Sequence, residues 1–245
     1  MKSFLKFSKD LLFPPRCAGC HTLMPPSAEE VVFCADCKKE WGAELCLQCP
    51  DCFAAYGECR CQPQLLVKEG SRGLIKLAPY GDTARERVVR RIVLDMKKQP
   101  RRRVIRLLAE ELAGGVLAEM GRLGWEREHV LLAHLPRDKR KVRREGVDQS
   151  VLLARALAKA CGLPHARILY RTKHAKTQKK LSAKERALNL KDAFAVKDEP
   201  KDVCVILIDD VVTTGASLSA GAHALRQAGV KEFFCVSVAQ TPKKH

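Results

Sequence analysis

The sequence predicts an α/β protein built on a parallel sheet, with a small metal-held module at its N-terminal end. Three observations carry that prediction. Short apolar runs alternate with helix-period segments after residue 129, the pattern of strands joined by crossover helices. Nine of the twelve cysteines fall before residue 62. Residues 1–65 net −1 and residues 66–245 net +18, so all the excess of a +17 chain belongs to its second part.

A length of 245 residues bounds the chain to one or two domains with a real core. The expected division is a cysteine-rich domain over 1–65, a linker over 66–80 and the α/β domain over 81–245. With 46% hydrophobic and 30% charged residues, full disorder is excluded. The longest apolar run, Val203 to Ile208, has six residues, against the roughly 18 that a spanning helix needs. Phe4, Leu5 and Phe7 are interrupted by Lys9 and Asp10, and no small-residue cleavage site follows, so the start does not read as a signal peptide. A cytoplasmic protein is therefore expected. Thiols stay reduced there, which favours metal ligation over disulfides.

Each element follows from its pattern. Residues 4–13 suit a short helix stopped by Pro14 and Pro15. Residues 17–61 hold turn residues and no long period. Val88, Val89, Ile92, Val93 and Met96 repeat at helical spacing, as do Val104, Leu107, Leu108 and Leu112. Val130–Leu135 reads as a buried strand. Leu152, Leu153, Ala156, Leu157 and Ala160 mark a helix closed by Gly162 and Pro164. Ile168–Tyr170 is a short strand, Val203–Ile208 the clearest one, Leu218–Ala228 a helix ended by Gly229, and Phe233–Val238 a last strand.

The clustered cysteines form the pairs Cys17/Cys20, Cys34/Cys37, Cys46/Cys49 and Cys59/Cys61. Zinc prefers four tetrahedral thiolates, and a CxxC turn offers two. The simplest pairing, first with second and third with fourth, gives two structural Zn2+ ions. An interleaved pairing, a single zinc or an iron–sulfur cluster stays open. Cys52 is left over or replaces a ligand of the second set, and His21 either competes as a ligand or is solvated. A segment of about 60 residues with few large apolar side chains needs a metal to fold. Cys161, Cys204 and Cys235 read as core residues.

The most specific motif is Val205 to Ser217. Asp209 and Asp210 end an apolar strand, where open α/β sheets bind ligands. Val211 and Val212 lead into Thr213-Thr214-Gly215-Ala216-Ser217, whose N–H groups, hydroxyls and following helix N-terminus suit a phosphate. Carboxylates repel a bare phosphate but suit sugar hydroxyls, with or without Mg2+. A ribose 5-phosphate fits both parts. The bland alternative is a solvated acidic strand end with Ser217 as an ordinary N-cap.

Three stretches hold the positive charge: Arg85–Arg106 (net +8), Arg137–Arg144 (+5) and Arg171–Lys191 (+7). Such concentration faces a polyanion or phosphate, or forms solvated helix faces. Arg137 and Arg144 are the preferred phosphate contacts, because guanidinium binds phosphate in bidentate fashion. Arg171–Asn189 is polar, basic and long, with the character of a flap.

The segment around Asp209-Asp210 resembles the phosphoribosyl-pyrophosphate motif of type I phosphoribosyltransferases. The wider chain resembles the ComF family of competence-related proteins. The residues that carry this are Leu12-Phe13-Pro14-Pro15-Arg16-Cys17 before the cysteine knuckles, then Pro136-Arg137 leading to Gly146, Asp148 and Gln149. Further on they are Arg171-Thr172 through Gln178, Leu181, Arg186, Asn189 and Phe194. Val147 stands where the family more often has an aromatic. The resemblance implies a type I phosphoribosyltransferase-like parallel sheet with a small N-terminal zinc ribbon. It implies Asp209 and Asp210 as the catalytic pair orienting the ribose, with residues 211–217 on its 5-phosphate. Arg137, Arg144, Gly146 and Gln149 would sit at the pyrophosphate, and Arg171, Lys173 and Gln178 on a loop that closes over it. Mg2+ would accompany phosphoribosyl pyrophosphate. The implied role is handling incoming single-stranded DNA in natural competence. The rival readings are a salvage enzyme transferring ribose 5-phosphate to a nucleobase or amine, and a non-catalytic scaffold docking a helicase-like partner. Aromatics make up only 5% of the chain and none interleaves the basic stretches, which argues against a base-stacking platform but not against electrostatic tracking of DNA. Arg85–Arg106 is the stretch first expected to meet DNA.

Overall fold

The computed structural model describes residues 14–25, 31–81, 87–98, 100–172, 192–197, 200 and 202–242. The helix expected over 4–13, together with Lys173, Gln178 and most of the expected flap, lies outside them.

Strand β6 (Cys204–Val212) is the centre of the sheet. It pairs in parallel with β3 (Val130–His134) on one side and β7 (Phe233–Gln240) on the other. Ile206 lies in register with Leu132 and Phe234. All eight residues of β7 are buried, which explains the continuous apolar runs: a parallel sheet covered on both faces has no polar side. On the far side of β7, β1 (Leu74–Ile75) and β2 (Ala78–Pro79) pair in succession, again in parallel. The stretch 66–80, expected as a linker, thus supplies the edge of the sheet, after a short helix α2 (Gln64–Lys68). Two-residue strands are too short to show a period, and Pro79 suits an edge.

Helices cover both faces. Leu108 and Leu112 of α4 (Arg102–Leu123) and Leu153 and Leu157 of α6 (Gln149–Cys161) pack with Leu132, Ile206 and Phe234. On the other face Leu218 and Leu225 of α7 (Ala216–Gln227) meet Val205, Leu207 and Phe233. Helix α4 continues well past Leu112, through Gly114 and Gly115, which are poor helix formers. At Gly115 an added Cβ would lie 3.1 Å from Ile75 Cγ2, so the glycine allows α4 to cross the sheet edge closely. The basic stretch 137–144, which shows no helical period in sequence, contains most of helix α5 (Lys139–Glu145), which Asp138 caps by accepting the Arg140 N–H at 2.7 Å. The short strand β4 (Leu169–Arg171) does not join the sheet. It forms an antiparallel ribbon with β5 (Phe194–Val196).

The cysteine-rich segment is packed into the same core. Phe33 and Trp41, the latter on α1 (Ala35–Leu45), belong with Cys17 and Cys37 to a cluster that includes Val88 and Val89 of α3 (Arg87–Lys98). Glu44 at the end of α1 accepts the N–H groups of Val88 at 3.2 Å and Val89 at 3.0 Å, and so fixes the start of α3. Arg91 donates to the Gly19 carbonyl at 2.9 Å, and Arg101 and Arg103 both donate to the Arg16 carbonyl. Part of the Arg85–Arg106 charge therefore fastens the first cysteine knuckle. Among the described residues no helix is long and apolar enough to cross a membrane.

Candidate functional site

A cleft of about 430 Å3 opens at the carboxyl ends of β3 and β6. Arg137, Arg144, Arg171 and Lys97 line it together with Asp209, Asp210 and Ser217. Strand β6 continues through both acids to Val212, with Asp209 in register with Ser237 of β7. The sheet itself thus holds the acid pair in place. The Asp209 carboxylate accepts the Asp210 N–H at 2.9 Å, and the Asp210 carboxylate accepts the Val211 N–H at 2.8 Å. The second Asp210 oxygen accepts from Gln149 Nε2 at 3.1 Å and lies 3.5 Å from Lys97 Nζ. Arg137 donates in turn to Gln149 Oε1. Buried Gln149, at the start of α6, therefore ties the basic segment to the acid pair. Arg171 reaches the cleft from β4, its guanidinium 5.2 Å from the Phe194 ring centroid.

Val211 to Leu218 form a small pocket of about 50 Å3 beside Asp209. Gly215 adopts φ +79° as the N-cap of α7, and a Cβ there would lie 2.9 Å from Pro63. Only glycine allows both the conformation and that approach. The pocket so combines turn N–H groups with the start of a twelve-residue helix. Lys97 was not among the residues singled out from sequence. Its signal was its place in a basic stretch, and only the packing of α3 brings it to Asp210. Gly146, expected in the pyrophosphate segment, ends α5 at φ +75° and is not among the residues lining the cleft.

Burial and the adjacent Asp210 charge push Asp209 up to about 7 from its ordinary 3.8, against the Asp210 N–H, Lys97 and Arg137, which favour the ionised form. The unfolded chain ionises first, so the folded state loses stability as pH rises from 3.8 towards about 7, and the loss is constant above that. Asp209→Asn is therefore expected to raise the melting temperature above wild type at about pH 8, with the gain vanishing towards about pH 4. Melting curves across that range test it; a gain largest at low pH would refute the burial account.

Two sets of four sulfurs gather within 4.8 Å of one another: Cys17, Cys20, Cys34 and Cys37, and Cys49, Cys52, Cys59 and Cys61. Each is an all-thiolate donor set that fits zinc. The chain-order pairing, first with second, describes the first set. In the second, Cys52 takes the place expected for Cys46, which is exposed and ends α1 as its C-cap. Cys49 to Cys52 is itself a CxxC spacing that overlaps Cys46 to Cys49, so sequence admits both registers. Burial pushes the Cys61 thiol up to about 12 and raises Cys37 as well. A divalent cation supplies the charge that turns such sulfurs into thiolates. Lys76 is fully buried, and its Nζ donates to Cys59 Sγ at 3.1 Å and to the Cys61 carbonyl at 2.9 Å. A buried ammonium suits a thiolate cluster with excess negative charge. Lys76→Met is expected to speed zinc loss from the second set and weaken its retention by about 10-fold or more. Chelator competition with a colorimetric zinc readout tests this; unchanged release would remove the role given to Lys76.

The phosphoribosyl transferase domain model matches residues 144–245, which include Gln149, the acid pair and the glycine loop. "Competence protein F" of Haemophilus influenzae is 42% identical over 93 residues, covering 36% of this chain and 41% of that protein. "DNA utilization protein YhgH" of Salmonella typhimurium is 27% identical over 222 residues, covering 89% of this chain and 94% of its own length. These matches support a ComF-family phosphoribosyltransferase-like protein. Its phosphoribosyltransferase-type domain thus follows a cysteine-rich segment, as the ComF resemblance implied. Glutamine phosphoribosylpyrophosphate amidotransferase from B. subtilis is similar over 59% of this chain and 30% of its own, at 17% identity and TM-score 0.37.

Proposed function

We propose that this ComF-family chain binds phosphoribosyl pyrophosphate with Mg2+ in the cleft and supports the handling of incoming single-stranded DNA in the cytoplasm of competent cells. The observation that supports the ligand is the convergence of Arg137, Arg144, Arg171 and Lys97 on the Asp209-Asp210 pair beside the glycine loop. The DNA role rests on what its relatives are called, competence and DNA utilization proteins, and on the +17 charge.

Asp209 and Asp210 offer hard oxygen donors that fit Mg2+ and ribose hydroxyls. Mg2+ would neutralise part of the diphosphate charge. The chain's own groups do the rest. The 213–217 loop receives the 5-phosphate, Arg137, Arg144 and Lys97 face the pyrophosphate, and Gln149 keeps Arg137 in position. If an acceptor is present, these cations stabilise the charge that develops as the bond from C1 to pyrophosphate breaks. Residues 1–65 serve as the zinc-held part, and the stretch 66–80 runs from it into the sheet edge of the phosphoribosyltransferase-type domain.

Titration calorimetry of the full chain with phosphoribosyl pyrophosphate and Mg2+ tests the ligand, with binding expected; no heat and no competition by pyrophosphate would sink it. A nucleobase screen for pyrophosphate release then separates a salvage-type enzyme from a binding protein.

A further inference from the structure

A second hollow lies apart from the cleft. It is a groove of about 890 Å3 between α4 and α6, the helices that cover the sheet face opposite α7. Ile105, Ala109, Ala113, Leu152, Ala156 and Ala160 lie along it. Alanines in facing positions let another backbone approach closely. The rim is charged: Arg102, Arg106, Arg155 and Lys159 line it, against one carboxylate, Glu110, 3.9 Å from Arg106.

We propose that this groove is a docking site for an acidic amphipathic helix of a partner protein. The length fits. The lined part of α4, from Arg102 to Ala113, rises about 16 Å at 1.5 Å per residue, or about three helical turns. An apolar stripe repeating at i, i+3 and i+4 would lie on the alanine floor, with Asp or Glu on its flanks meeting the four cations. The other occupants fit less well. A second copy of this chain in a symmetric pair would set the basic rim against itself. Single-stranded nucleic acid gains its sequence-tolerant affinity from aromatic stacking, and no aromatic lines this groove. A lipid surface is flat, whereas this site is concave.

The test uses the full-length protein and a fluorescein-labelled peptide of about 15 residues, a length that spans the groove, with a leucine stripe and glutamate flanks. Two control peptides are needed: one of the same composition with the stripe scrambled, and one with lysine flanks. Anisotropy should show micromolar binding of the glutamate peptide only. Arg155→Glu/Lys159→Glu changes exposed side chains of α6, so unchanged circular dichroism and melting are expected. In that variant the affinity should fall roughly tenfold or more, and the lysine-flanked peptide should now bind. Equal binding of the scrambled peptide would reduce the effect to general charge attraction and overturn the proposal. So would binding unaffected by the double substitution, or no binding at all. Loss of oligo-dT binding in the same variant, without any peptide binding, would assign the face to DNA instead.

Discussion

Replacing both acids, Asp209→Ala/Asp210→Ala, is expected to lower affinity for phosphoribosyl pyrophosphate in Mg2+ by about 100-fold or more. Affinity for inorganic pyrophosphate without Mg2+ should stay the same or rise. The first effect follows from lost contacts: a hydrogen bond involving a charged group contributes about 1.5–3 kcal/mol, and each 1.4 kcal/mol is about tenfold in affinity. Two such groups are removed at once. The second effect follows from charge. Without Mg2+ the carboxylates repel a diphosphate, and Asp210 occupies Gln149 and Lys97. Its removal turns those groups towards an anion. A collapsed cleft would weaken both ligands together, so calorimetry with the two ligands separates a damaged site from a missing contact. Unchanged affinity for both would reject the assignment of the acid pair.

The strands that place this site were legible because of their length and burial. Val203–Ile208 and Phe233–Val238 are runs that only a doubly covered strand explains, and both strands appear, extended by two or more residues at their carboxyl ends. The extension of β6 matters, since it puts Asp209 and Asp210 on the sheet and not on the loop. Three features were not legible, each for a local reason. Strands β1 and β2 have two residues apiece and borrow their hydrogen bonds from β7, so no period marks them. Helix α5 is almost entirely basic, without an apolar face to announce it. Lys97 is one of ten basic residues in Arg85–Arg106, and nothing in sequence distinguishes it from Arg101 or Arg103, which hold the Arg16 carbonyl instead. The cysteine register failed at one position for a related reason: two CxxC spacings share Cys49, and only the end of α1 decides that Cys46 faces outward.

Cys37→Ser is expected to remove one zinc per chain and to lower the melting temperature by about 10 °C or more. Cys37 is 4% exposed and sits in a core with Phe33, Trp41, Val88 and Val89. Structural zinc supplies folding free energy directly. A loss of about 4 kcal/mol is modest on that scale, and at about 2–4 °C per kcal/mol for a chain of this size it gives the stated shift. The consequence should extend to the cleft, because the connections run through specific residues. The first sulfur set anchors α1, Glu44 at the end of α1 holds the first N–H groups of α3, and α3 delivers Lys97 to Asp210. Affinity for phosphoribosyl pyrophosphate should therefore fall in Cys37→Ser even at temperatures where the chain remains folded. Glu44→Gln, which keeps the zinc but weakens the hold on α3, should reproduce part of that loss with full metal content. Metal analysis, melting and calorimetry on the three proteins decide the matter. If Cys37→Ser lost zinc and stability but bound the sugar diphosphate as wild type does, the head would stabilise the fold without shaping the site.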